Sequence, residues 1–272
     1  MELRQRAHSA FCITDANLKC EAVQLLWSDI NRIALDTQVL LPAPQRPGSP
    51  PRPELVHPQN VPRRSPFTPQ GHAALVHSIA HIEFNAINLA LDAVWRFAGL
   101  PEQYYRDWMR VAQEEAKHFT LLRQHLLERG YDYGDFQAHE GLWTMCASTQ
   151  HDVIARMALV PRTLEARGLD AIPLVQAKLR KVATPDAMAV VAILDLILQE
   201  EVGHVSVGNH WYHWLCQRAE LDPDHFYKLA SDRYGGPRLK PPFNISGRRM
   251  AGFTESEINA LPTADEPLVK RV

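Results

Sequence analysis

From Gln70 onward, apolar residues recur every three or four positions through four long stretches, roughly 70–98, 102–129, 142–167 and 186–218. That is the period of an α-helix with one buried face, and no segment alternates as a strand would. The first stretch carries Leu75, Ile79, Ile82, Ala86, Leu89, Ala90 and Ala93 on one face and stops at Gly99 and Pro101. The second places Trp108, Val111, Ala112, Phe119, Leu122 and Leu126 together and stops at Gly130. The third ends at Gly168 and contains Pro161, which predicts a kink. A separate short helix is expected over 172–182. The fourth opens at Pro185, and its middle is apolar on nearly every face, as in a helix surrounded by others. The expected fold is all-α, a four-helix bundle.

Proline divides the chain. Ten of the 20 prolines fall between Pro42 and Pro69. That density forbids helix and removes backbone donors, so 42–69 reads as an extended connector. Before it, Thr14 to Leu41 reads as one helix capped by Thr14 or Asp15, with Ala22, Leu25, Leu26, Ile30, Ile33 and Ala34 as its stripe. The expected organisation is an N-terminal helical segment (1–41), the connector (42–69), a bundle (70–220) and a tail packed on it (221–272). The tail is polar and irregular. A last short helix is expected from Thr254, where TESE resembles a capping box without its Glu at the usual spacing.

Composition excludes several classes. Hydrophobic residues make up 46% of the 272, enough for a globular core and too many for a disordered chain. Lys and Arg number 29 against 31 Asp and Glu, so there is no bulk field for nucleic acid or an anionic membrane. The longest apolar run, Met188 to Leu198, is interrupted by Asp195 and too short to span a bilayer. Cys12, Cys20, Cys146 and Cys216 form no CxxC pair, which suits free thiols in a reducing compartment. The segment MELRQRAHSAFC lacks the apolar core of a signal peptide, so a cytoplasmic location is expected.

The chemistry concentrates in two Glu-x-x-His motifs, Glu115 with His118 and Glu201 with His204. Residues three apart on a helix share a face, so a carboxylate and an imidazole can bind one ion. Both pairs fall on apolar faces, where unneutralised carboxylates are costly. Glu83 and Glu165 occupy the corresponding inward positions of the first and third stretches. The set is therefore Glu, Glu-x-x-His, repeated once, and it suits two divalent ions, iron or manganese. Glu200 and Asp195 are candidate acceptors behind the ligands, with a salt bridge the alternative for Asp195. Glu114 reads as solvated, His77 and His81 as surface or packing histidines, and Arg63, Arg64, Arg238, Lys240, Arg248 and Arg249 as solvated loop residues, with contact to a phosphate-bearing substrate the alternative.

HIEFNAINLALDAVWRF, EEAKHF, MALVPRTLEARGLD, LQEEVGHV and the PPFNISGRRMAGF segment together resemble the DUF455 family of ferritin-like di-metal carboxylate proteins. Distant kinship with tRNA-hydroxylating monooxygenases implies a hydroxylase or oxidase activating O2 or peroxide, on a small-molecule or RNA-linked substrate. With no dinucleotide fingerprint or cluster cysteines, electrons are expected from a partner protein or small reductant. No membrane partner is expected, and a homodimer is compatible with the chain. The alternatives are a ferritin-like iron-oxidising, iron-handling protein and a dimanganese catalase-like enzyme.

Overall fold

The computed structural model describes residues 1–42 and 46–263, and these are helical with one isolated parallel bridge, Leu55 to Ala138. Among the described residues no helix is long and apolar enough to cross a membrane. The described residues divide into two compact units, one drawn from 1–42 and 46–151 with 177–197 and the other from 152–176 with 198–263.

In the first unit, α1 (Leu3–Cys12) and α2 (Ala16–Ser28) precede the connector. The single expected helix over 14–41 is thus corrected: Asp15 does cap α2, but the helix ends at Ser28 and a second helix lies upstream. Ile30 and Ile33 stay buried in the turn beyond Ser28, which is why the apolar spacing runs past the helix end. The long helix α3 (Pro69–Arg96) starts at a Thr68 cap, and with α4 (Glu102–Leu127) it forms a hairpin against which α1 and α2 pack. The short α5 (Gly141–Ser148) packs on α3.

Two buried cations tie this unit together. Arg4 donates to the carbonyls of Val94 and Trp95 at the end of α3 and of Asp36 and Val39 in the segment before the connector. A cation at a helix C-terminus satisfies orphan carbonyls and complements the helix dipole. Lys19 donates to Phe11 O at 3.0 Å, Gly48 O at 2.8 Å and the Asn88 side chain. Burial pushes the Lys19 ammonium down to about 7. The connector is held against α1 at Gly48, whose N–H donates to Phe11 O; a Cβ there would lie 2.3 Å from Cys12 O, so only glycine fits. Further along, Val56 N–H donates to Ala138 O and Ala138 N–H donates to Glu54 O, and Arg46 pairs with Glu140 at 2.6 Å.

The second unit begins with α6 (Val153–Leu159), capped by Asp152, and continues through a π-helical turn, Val160–Glu165, into α7 (Ala166–Val182). This corrects the expected continuous helix over 142–167: the chain breaks between Ser148 and Val153, and Gly168 lies inside α7 instead of separating two helices. Pro161 does perturb the helix, but by widening it into the π turn, where Thr163 Oγ1 donates to Ala158 O five residues back. Helix α8 (Pro185–Arg218) supplies its latter part to this unit. Gly208 lets it approach Pro161, since a Cβ would lie 2.5 Å from the proline Cβ.

The segment beyond Leu221 is more ordered than its composition suggests. It forms α9 (Pro223–Tyr234), α10 (Ile245–Met250) and α11 (Glu255–Asn259). Thr254 and Glu257 make a complete capping box, which corrects the expected missing Glu: Glu257 sits at the required third position. Ala251 packs with Ala166, Leu169 and Val205, and Arg248 pairs with Asp170 at 2.5 Å. Arg162 pairs with Glu257 and hydrogen-bonds Asn209 Oδ1 at 3.0 Å. Arg248 is therefore a buried anchor and not a solvated loop residue; Arg249 is exposed, paired with Glu255.

Candidate metal centre

Glu83 lies in the middle of α3, and Glu115 and His118 lie one turn apart on α4. The apolar faces of the hairpin carry all three inward. Glu83 is 4% exposed and the other two fully buried. One ligating atom from each falls within 4.8 Å of the others. His118 Nδ1 is 3.3 Å from Glu83 Oε2 and 3.5 Å from Glu115 Oε2.

The electrostatics follow from that crowding. Burial first, then the charge of Glu115, push the Glu83 carboxyl well above the usual carboxylate range. Burial alone would favour a neutral His118, but the hydrogen bonds and charges of Glu115 and Glu83 outweigh it and raise the imidazole to about 10. A proton on His118 thus occupies the electrostatic role that a cation would fill. Carboxylate oxygens and imidazole nitrogen are the donors that divalent iron, manganese and zinc accept, so this cluster fits a metal ion.

The second unit carries the matching half of the pattern. Glu201 and His204 lie one turn apart on α8, 3.6 Å between His204 Nδ1 and Glu201 Oε1, and both are buried. Glu201 lies over Gly168 of α7, whose added Cβ would stand 3.9 Å from Oε2. Glu165 is buried at the end of the π turn. Such turns often serve to aim a functional side chain.

The remaining candidates separate. Asp195 is exposed, its side chain 62% accessible, and faces Arg180 at 3.8 Å; it is a surface ion pair, not an acceptor behind a ligand. It interrupts an apolar run whose other face is the buried one. Glu200 and Glu114 are half-buried. His77 and His81 are buried packing residues: Gly134 N–H donates to His77 Nε2 at 2.9 Å. His81 Nε2 faces the His139 carbonyl at 3.0 Å and must donate to it, so Nδ1 accepts from the Tyr133 hydroxyl at 2.9 Å. Burial brings the His81 imidazole down to about 4, keeping it neutral.

His81, Phe84, Asn85, Tyr133 and Trp143 line a cavity of about 310 Å³ that the connector closes from Arg46 to Leu55. Phe84 and Asn85 follow Glu83 directly on α3. Sequence reasoning missed this cavity and Tyr133, which sits in a loop where no periodicity marks a residue as inward.

The comparisons with known proteins bear out the DUF455 part of the resemblance. A Haemophilus influenzae chain described as an uncharacterized protein is 43% identical over 276 residues, covering 97% of this chain and 95% of that one. No solved structure matches. Residues 12–259 match the family described as protein of unknown function, DUF455, and the chain belongs to that family.

Proposed function

We propose that this protein is a ferritin-like di-metal carboxylate oxidoreductase, with Glu83, Glu115, His118, Glu165, Glu201 and His204 holding two divalent ions, iron in preference to manganese. The observation that carries the reading is the convergence of Glu83, Glu115 and His118 within 4.8 Å in a buried setting. The repeat of the same residue pattern, with Glu165, Glu201 and His204 also buried, supports two ions over one.

Bound iron would supply the redox electrons for activating O2 or peroxide. The chain's own part is to hold the ligands rigid, exclude water and seat a substrate. The cavity lined by Phe84 and Asn85, the two residues that follow Glu83, suits an organic group with an apolar body, packed on Phe84 and Trp143, and one polar end near Asn85 and the Tyr133–His81 pair. Reducing equivalents would come from a partner protein or small reductant.

The test is anaerobic loading with Fe(II), followed by O2. Oxygen uptake that stops at the bound iron supports an oxidase or hydroxylase. Uptake that scales with excess Fe(II) and yields mineral would replace this reading with iron handling, and rapid peroxide disproportionation by the manganese-loaded form would replace it with a catalase. Failure to bind either metal would end it.

A further inference from the structure

A second ligand set lies at the far end of the α3–α4 hairpin. His72 is in the first turn of α3, His125 in the last turn of α4, and Asp186 in the first turn of α8. His72 is 11 residues from Glu83 and His125 is 10 from Glu115, so at 1.5 Å per residue this set is about 15 Å along the helices from the first.

The geometry is that of a site built around a shared point. One atom from each residue falls within 4.8 Å of the others. His72 Nε2 is 3.1 Å from Asp186 Oδ2, and His125 Nε2 is 3.1 Å from Asp186 Oδ1. Neither contact has hydrogen-bond direction: both Nε2 atoms are buried without a hydrogen-bond partner. Both histidines are more than nine-tenths buried, at 6% and 5% exposed. Burial lowers both imidazoles from their ordinary range, with the Arg129 charge adding to the effect and Asp186 opposing it. Neutral imidazole is the form that binds metal. The three side chains line a cavity of about 230 Å³ with Leu126, Arg129 and Tyr131.

We infer that His72, His125 and Asp186 form a mononuclear site for a divalent transition-metal ion, distinct from the di-metal centre, with its open coordination positions on that cavity. Two imidazoles and one carboxylate are a donor set that zinc, iron and cobalt accept, and three protein ligands leave room for water. Arg129 lies against Asp186 Oδ1, so the ion would take Oδ2, the oxygen nearest His72, while Arg129 keeps the other. An ion here would pin the starts of α3 and α8 to the end of α4.

Cobalt(II) alone is the probe. Added to the full chain carrying Glu115→Ala and Glu201→Ala, it should bind at one equivalent, give visible d–d absorption, and produce paramagnetically shifted imidazole resonances from two histidines. Adding His72→Ala or Asp186→Asn should weaken that binding at least tenfold. Should the double variant fail to fold, the wild-type chain serves: His72→Ala and Asp186→Asn should each lower the cobalt count by one equivalent. An unchanged count and affinity in both single variants would overturn the proposal, as would the absence of shifted histidine resonances in a folded, cobalt-treated protein.

Discussion

His118 Nδ1 sits 3.3 Å from Glu83 Oε2, with Glu115 Oε2 at 3.5 Å on its other side. A buried imidazole held between two carboxylates keeps its proton until a stronger cation displaces it. Metal binding should therefore release protons. With His118 raised to about 10, apparent affinity should climb by up to about tenfold per pH unit from neutrality toward that value, for one displaced proton. Calorimetry in buffers of different ionisation enthalpy checks this; affinity independent of pH between 7 and 9 would contradict it.

Loading should also stabilise the fold. An ion that binds the folded state alone adds about 2.7 kcal/mol at a hundredfold excess over its Kd. The thermal midpoint should rise with Fe(II) or Mn(II) and fall with chelator. Glu115→Ala should diminish this response, whereas Glu114→Ala, half-buried on the other face of the same turn, should retain it in full.

The close approach of Gly208 to Pro161 makes the π turn sensitive to one methyl group. Gly208→Ala would place a Cβ 2.5 Å from Pro161 Cβ, and overpacking of this kind costs about 1–3 kcal/mol. Urea denaturation should show that loss. A neutral result would mean that α8 is free to shift away from Pro161.

Glu257 supplies a pH-dependent contribution. Burial opposes its ionisation, but the His213 hydrogen bond and the Arg162 charge outweigh this and lower its carboxyl from 4.5 to about 2. A carboxyl depressed on folding stabilises above its unfolded value and loses that contribution as pH falls from about 4.5 toward 2. The shift corresponds to roughly 3 kcal/mol. Glu257→Gln should cost about that much at pH 7, and the gap between variant and wild type should close as pH approaches 2. A gap that persists at low pH would contradict the assignment.

Much of this was legible in the residues, for identifiable reasons. Glu83, Glu115, His118, Glu201 and His204 interrupt apolar faces with a regular period, so their burial follows from periodicity alone. Helix α1 was not legible, because LRQRAHSAFC reads as polar and its Arg4 is buried only by bonding to four distant carbonyls. The break before Val153 has neither Gly nor Pro; it rests on Thr149 bonding back to Met145 O and Asp152 starting a new helix. Gly168 looked like a helix stop but lies within α7 beside Glu201. His72, His125 and Asp186 carry no mutual spacing at all, since three helix ends bring them together.

The central claim is that Glu83, Glu115, His118, Glu165, Glu201 and His204 hold two metal ions. The most direct measurement is an anaerobic Fe(II) titration of the wild type and of the Glu115→Ala/Glu201→Ala double variant, each shown to be folded, with bound iron counted per chain. The account predicts that the variant binds two fewer ions than the wild type. Equal loading of the two proteins would contradict it.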